Sequence, residues 1–424
     1  MSLIVHKYGG TSMGSVERIQ NVAARVAKWH RAGHQMVVVP SAMSGETNRL
    51  LELAAEISPQ ESEQREREID MIAATGEQVS SGLLALALQA QGVPAVGLTG
   101  WQVSVRTDDS HGKARIKEID DQRVRDHLNA GQVVVITGFQ GINEQGDITT
   151  LGRGGSDTSA VAIAAALQAE ECLIFTDVDG VYTTDPRVVP QARRMSTITF
   201  EEMLEMASQG SKVLQIRSVE FAGKYRVRTR VLSSLTDPLI ALEQEAVSGT
   251  LITFEEDNVM EDAVISGIAF ARDEAKITLT RVPDTPGVAF RILGPIANAN
   301  IEVDVIIQNQ SLDGTTDFSF TINRADYDRT LNILRDKVIP DIGAAEAIGA
   351  NDICKVSAVG IGMRSHAGVA SRMFETLSRE GINIQMISTS EIKITVVIED
   401  KYLELAVREL HKEFELEQDL LDQA

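Results

Sequence analysis

Short aliphatic runs recur along the first half of the chain, each followed by a stretch whose apolar residues return at helical spacing. LIVHKY (Leu3 to Tyr8), QMVVVP (Gln35 to Pro40), VPAVGL (Val93 to Leu98), QVVVIT (Gln132 to Thr137), ECLIFT (Glu171 to Thr176) and VRTRVL (Val227 to Leu232) read as strands. Runs this continuously apolar belong to strands covered on both faces, which predicts an α/β fold with a mostly parallel sheet sandwiched by helices. A helix is expected near Val16 to His30. Glu61 to Ala90 reads as a helical excursion, solvated in its first part and apolar in its second. The basic cluster KYRVRTR, Lys224 to Arg230, alternates with apolar residues and is expected to form a strand with one solvated face.

Near Gly249 the pattern shifts to shorter strands and an internal repeat. Pro286 to Asn309 matches Ala367 to Ser390 with a register of 81 residues, and each copy is followed by an alternating strand, FSFTI or KITVVI. Each copy predicts strand, loop, helix, strand, strand, helix, strand, the order of a small ferredoxin-like α+β module. One such module has little core, whereas two can share a sheet or a ligand cleft. The expected domains are residues 1–248, 263–345 and 353–424.

Composition narrows the function classes. Hydrophobic residues make up 43% and aromatic ones 4% of the 424 residues, a balance that suits aliphatic, alanine-rich helices. The formal charge of −21 disfavours nucleic acid and anionic lipid, and no basic patch offsets it. No uninterrupted apolar run approaches the roughly 20 residues of a membrane span, and no secretory signal opens the chain, so a cytoplasmic protein is expected. Cys172 and Cys354 sit among aliphatic residues, and no histidine lies in an HExxH pattern, so no metal site is expected.

Several loops carry chemistry. LGRGGSDTSA, Leu151 to Ala160, is a glycine-rich turn running into an alanine-rich helix. Gly152, Gly154 and Gly155 let backbone approach a ligand, Ser156 or Asp157 can cap the helix, and Arg153 offers a fork matched to carboxylate or phosphate. KYGGTSMGS, Lys7 to Ser15, is a second such turn, with Lys7 at a strand end where an ammonium can neutralise phosphoryl oxygens. It lacks P-loop spacing. PSAMSGETNRL follows the second strand and reads either as a helix-capping sequence or as a ligand loop at a strand's carboxyl end. Glu77 lies in a small-residue stretch where a carboxylate would suit an amino group. In TDVDGVYTTDPR, the EF-hand pattern is incomplete, and a nucleoside loop around Tyr182 fits better. GSKVL adds Lys212 as a second candidate phosphate cation.

Together KYGGTS, SAMSGETN, TGE, GRGGSD, TDVDGVYTTDPR and GSKVL stand in the order and approximate spacing of aspartate kinases. The chain resembles the monofunctional members along nearly its whole length. Its first part is similar to the amino acid kinase fold, and its repeats look like paired ACT domains. The resemblance implies that Lys7, Gly9, Gly10 and Lys212 contact ATP phosphates, that Asp157 orients the lysines, and that Ser41 and Ser156 lie beside the reacting groups. Thr47, Glu77 and Arg153, with Gly154 and Gly155, would hold aspartate; Thr176, Asp177, Tyr182, Asp185 and Arg187 would frame the nucleoside. Tyr8 departs from the commoner phenylalanine, and Pro40 precedes the serine.

The implied reaction moves the ATP γ-phosphoryl group to the β-carboxylate of L-aspartate, the first step of lysine, threonine and methionine biosynthesis, with Mg2+ arriving on ATP. The resemblance also implies lysine, threonine or both as effectors, held around Asp284, Gly287, Ala289 and Gln308 of the first repeat and Asn383 and Ile384 of the second. Asp304, Ser365, His366 and Val369 are secondary candidates. Met260 stands where some relatives start a separate ACT-only chain, which would give an α/β hetero-oligomer in place of a homo-oligomer. A fused homoserine dehydrogenase is not expected. The rival readings are a kinase for acetylglutamate or glutamate and a non-catalytic amino-acid sensor.

Overall fold

The computed structural model describes residues 2–58, 63–211, 213–254, 265–310, 314–361, 363 and 368–418. It divides into two compact units. The first is built on an eight-stranded sheet in the order Thr197–Thr199, Thr250–Thr253, Thr229–Ser233, Glu171–Thr176, Leu3–Tyr8, Gln35–Pro40, Val133–Ile136, Ala95–Leu98. All neighbours are parallel except Thr229–Ser233 with Thr250–Thr253. The valine runs Val37–Val39 and Val133–Val135 are fully buried because helices cover both faces. Leu3–Tyr8 is central and parallel to both neighbours, so the carboxyl ends of the three strands open on one edge of the sheet. In open α/β sheets that edge collects ligands.

Helix Val16–Arg31, whose first turn is capped by Ser15 Oγ accepting from Arg18 N at 3.2 Å, buries Val22, Val26 and Trp29 against the sheet. The helical excursion is realised as Glu63–Ala73 and Thr75–Ala90. By length and composition, the run Arg65–Ala90 is apolar enough to cross a bilayer, which the scan for uninterrupted runs does not register. Here Leu84 and Leu88 pack in the same core cluster as Trp29 and Tyr8, so the run is a core helix.

The basic cluster departs from expectation. Lys224 ends helix Ile216–Lys224, Arg226 turns the chain at φ +52°, and the strand begins only at Thr229. The face of that strand carrying Arg230 is covered, not solvated. Arg230 is buried and donates from Nε to Glu171 Oε1 at 3.0 Å on the neighbouring strand.

The second unit gathers Thr183–Arg193 and Ser208–Ser211 with the chain from Asp262 onward. Its six-stranded antiparallel sheet has the order Val303–Gln310, Thr315–Asn323, Gly267–Pro283, Glu346–Val359, Lys393–Glu399, Met386–Thr389. The repeats are two ferredoxin-like modules, but not two sequential ones. The long strands Gly267–Pro283 and Glu346–Val359 each serve both modules, and their pairing shifts register between Ala271 and Lys276. The second copy takes its last strand from Gly267–Ala271, ahead of the first copy, instead of from residues after its second helix, Leu403–Glu413. One continuous strand pair thereby joins the modules without an extra sheet edge. The sheet also folds back on itself. Val305 and Ile307 on one outer strand pack with Met386 on the other and with Ile353 and Val397, and Lys276 Nζ donates to Gln385 Oε1 at 3.0 Å.

Candidate active site

Lys7 is the last residue but one of the central strand, and its Nζ lies 2.5 Å from Asp157 Oδ1. Asp157 stands in the first turn of helix Gly155–Leu167, so the pair ties the strand end to a helix N-terminus, where unpaired N–H groups favour anions. Gly154 precedes that helix at φ +69°, and a Cβ there would sit 2.7 Å from the Gln215 side chain. Glycine is therefore required on both conformational and steric grounds. The neighbouring turn follows the same logic: a Cβ on Gly10 would come within 3.1 Å of the Ala42 carbonyl, and Gly9 N donates to Phe175 O at 3.2 Å. The KYGG turn is thus packed between the ends of the two flanking strands. The Tyr8 ring stacks on Phe175 with centroids 4.8 Å apart, and its hydroxyl lies 3.1 Å from His6 Nδ1, which accommodates tyrosine in place of phenylalanine.

Glu77 enters from the first turn of helix Thr75–Ala90. Its Oε1 accepts from Ala42 N at 3.1 Å, while Oε2 is buried with no partner among the described residues. Burial pushes its carboxyl up to about 7, opposed by hydrogen bonds from the Ala42 and Glu77 amides and by the charge of Lys7. A buried carboxylate oxygen without a donor, near an ammonium, is arranged to receive another donor. Ser41 joins the same edge, its N donating to Tyr8 O at 2.9 Å. The segment Ser41–Gly45 is not a side-chain cap: Gly45 at φ +80° is the N-cap of helix Glu46–Ile57, with no side-chain capping bond. Thr47 lies partly exposed in that helix's first turn.

Ser156 is buried, and a Cβ on Gly138 would lie 2.9 Å from its Cβ. The turn Thr137–Phe139 therefore reaches the glycine-rich loop as well. Sequence reading did not single it out, although TGFQG directly after a buried strand carries the same turn signal as KYGG. Arg153 is exposed, and its side chain forms no ion pair with a described residue. Gly155 is buried, and a Cβ there would stand 2.8 Å from Leu151 Cβ.

The nucleoside candidates are divided between the units. Thr176 Oγ1 donates to Asp177 Oδ1 at 3.2 Å, and Tyr182 OH donates to Asp179 Oδ1 at 2.8 Å, both in the first unit. Asp185 and Arg187 belong to the second unit and pair with each other at 2.7 Å, which holds the Asp185 carboxyl below its usual range. Lys212 lies outside the described residues.

Of the effector candidates, Asp284 lies exposed in the turn before helix Val288–Ala297, Gly287 is that helix's N-cap at φ +87°, and Ala289 is in its first turn. Gln308 is exposed on one outer strand, and Asn383 and Ile384 immediately precede the strand pairing of Met386 on the other. Val369 opens the equivalent helix of the second copy behind Gly368 at φ +109°. Asp304 is different: it pairs with Lys355, whose Nζ also meets Glu274 Oε1 at 2.9 Å, so its carboxylate is committed within the unit. Ser365, His366 and Met260 lie outside the described residues.

Comparison with known proteins gives this geometry a family. The Amino acid kinase family matches residues 2–233, and ACT domains match residues 276–338 and 356–414. An aspartate kinase of Pseudomonas fluorescens is 64% identical over 417 residues, covering 98% of each chain. Aspartokinase III of E. coli, solved in complex with aspartate and ADP, is similar at 27% identity with a TM-score of 0.80, covering 97% of this chain and 99% of that one. The same enzyme in complex with lysine and aspartate gives 26% identity and a TM-score of 0.72, covering 97% and 99%. The chain belongs to the amino acid kinase family and, within it, to the aspartate kinases with two C-terminal ACT domains.

Proposed function

We propose that this protein transfers the γ-phosphoryl group of ATP to the β-carboxylate of L-aspartate, giving 4-phospho-L-aspartate and ADP. The observation that carries this reading is the Lys7–Asp157 pair beside Glu77, a cation at the phosphate end of the site and an undersatisfied carboxylate in its wall. An aspartate ammonium would satisfy Glu77 Oε2, and Arg153 would take a substrate carboxylate. The glycine turns and the helix N-terminus would receive ATP phosphates. Aspartate's β-carboxylate is ionised at neutral pH, so the reaction requires no general base. Its demands are alignment of two anions and stabilisation of charge on the transferring group, which Lys7 supplies while Asp157 fixes its direction.

Magnesium enters with ATP. Asp157, the acidic group beside Lys7, is already paired, so the ion is held mainly by phosphate oxygens and water, and no protein ligand is assigned. Lys212 is the second phosphate cation in this reading, and Thr176, Asp177 and Tyr182 border the nucleoside. The product feeds lysine, threonine and methionine synthesis. Lysine or threonine acts as effector at the ACT modules, through the loop Asp284–Ala289 and the Gln308, Asn383 and Ile384 positions. The protein works as an oligomer, homomeric or with an ACT-only chain started at Met260.

An ADP-release assay with aspartate, glutamate and N-acetylglutamate as acceptors tests the reaction, with hydroxylamine trapping of the acyl phosphate. Turnover specific to aspartate is expected. Preference for another acceptor, or ADP release without a trapped product, would overturn it. Titration with lysine and threonine, separately and together, tests the effector, and binding of neither would remove the feedback role.

A further inference from the structure

The glycine-rich turn is gripped from two sides by side chains that no substrate role explains. On one side Arg217, in helix Ile216–Lys224, donates from Nη1 to the Leu151 carbonyl at 2.6 Å and from Nη2 to the Ala114 carbonyl at 3.0 Å. Two residues earlier, Gln215 Nε2 donates to the Arg153 carbonyl at 2.9 Å, and its side chain fills the space beside Gly154. On the other side, fully buried Asp70 accepts from Thr150 Oγ1 at 2.5 Å and from Gly112 N at 3.0 Å. The Gly112 carbonyl in turn lies 3.0 Å from where a Cβ on Gly152 would stand.

Such a turn needs holding. Gly152 and Gly154 adopt φ of +79° and +69°, and glycines lose the most conformational freedom when ordered. A substrate-aligning group misplaced by about 1 Å costs on the order of 100-fold in rate. Arg153 has its side chain exposed and outside every ion pair among the described residues, so its backbone is the one part of it that those residues fix. Arg217 spends its guanidinium fork on two carbonyls, one of them two residues before Arg153, a geometry that a lysine ammonium reproduces only in part.

We infer that Arg217, assisted by Gln215, is a positioning residue for acceptor recognition: it fixes the Leu151–Arg153 backbone and so aims the Arg153 guanidinium at the acceptor carboxylate. This rests on the aspartate kinase reading above. Asp70 holds the opposite flank of the same turn.

The test uses the full chain as wild type, Arg217→Ala, Arg217→Lys and Gln215→Ala, with steady-state kinetics in both substrates and amide exchange over residues 151–157. Arg217→Ala is expected to raise the KM for aspartate about tenfold or more, with smaller changes in the KM for ATP and in thermal unfolding. Arg217→Lys recovers part of that loss, Gln215→Ala shifts it the same way by less, and exchange in the turn quickens in both alanine variants. An unchanged KM for aspartate in a folded variant, equal rises for both substrates, or unaltered exchange would overturn the assignment. Should Arg217→Ala not fold, the other two variants decide it by the same readouts. Absence of aspartate-dependent ADP release in the wild type would defeat the kinase reading separately, and exchange in the turn would then decide whether Arg217 holds it.

Discussion

Lys7 and Asp157 meet at 2.5 Å although 150 positions separate them, joining the end of the central strand to the first turn of a buried helix. The pair does two things at once. It neutralises a buried carboxylate, and it holds an ammonium in a fixed direction, which in the proposed reaction leaves little reorganisation for the transition state.

Lys7→Ala is therefore expected to lower turnover by about 10²- to 10³-fold, the scale on which single preorganised charge-stabilising groups act. Some stability goes with it, because Asp157 is left buried without its cation. Measuring kcat and thermal unfolding together, with Asp157→Asn as a comparison, separates the effects. Turnover within a few-fold of wild type would remove Lys7 from the reaction.

Glu77 is expected to make stability, and in the proposed site aspartate binding, depend on pH. Burial raises its carboxyl from 4.5 to about 7, so between those values the folded state holds a proton that the unfolded state has lost. Stability falls as pH rises through this window, by up to roughly 3 kcal/mol from this group, and Glu77→Gln flattens the slope. Aspartate binding is expected to run the other way, because in the proposed site its ammonium meets Glu77 and prefers the ionised form. The KM for aspartate should fall from pH 6 to pH 8 in the wild type and not in Glu77→Gln. A pH profile of aspartate KM shared by both proteins would contradict this.

Glu245 anchors the first helix. Its carboxylate meets Arg25 Nε at 2.6 Å, Lys28 Nζ at 2.7 Å and Trp29 Nε1 at 2.8 Å, and Arg25 is fully buried. Glu245→Ala leaves a buried guanidinium uncompensated and should cost about 3–5 kcal/mol in chemical denaturation. A loss under 1 kcal/mol would mean that the carbonyls of Ser234 and Thr236, which Arg25 also reaches, suffice.

Gly249 turns the chain at φ +76° between two sheet strands, with the Val231 carbonyl occupying the space of a Cβ. Gly249→Ala combines left-handed strain of roughly 1–3 kcal/mol with a backbone clash, and a clear drop in melting temperature is expected. An unaltered melting temperature would show that the turn can rearrange.

Much of the site was legible because its residues sit at strand ends in turns whose composition declares them. KYGG and GRGGSD are glycine-rich for reasons visible in sequence, and KYGG, directly after a buried run, falls at the ligand edge of the parallel sheet. The partners were not legible. Arg217 and Asp70 are not singled out by any local pattern, because the groups that each grips around the glycine-rich turn lie 42 or more positions away. Asp304 was a secondary effector candidate by resemblance; its pairing with Lys355 depends on tertiary structure and was not legible. KYRVRTR misled because alternation cannot show that Lys224 ends a helix or that the strand face bearing Arg230 is covered by Glu171 and the Ser248 carbonyl.

By itself, the sequence determined the period of most elements, the parallel α/β unit, the existence of a repeated module and the loops that are candidates for the chemistry, since these follow from local patterns of burial and turn formation. Tertiary structure decided that the two modules share their long strands, that Glu77 keeps one carboxylate oxygen without a donor among the described residues, and that Gln215 and Arg217 close on the glycine-rich turn. These are contacts between distant segments, and their energies depend on register, burial and direction, which are set only when the sheet has formed.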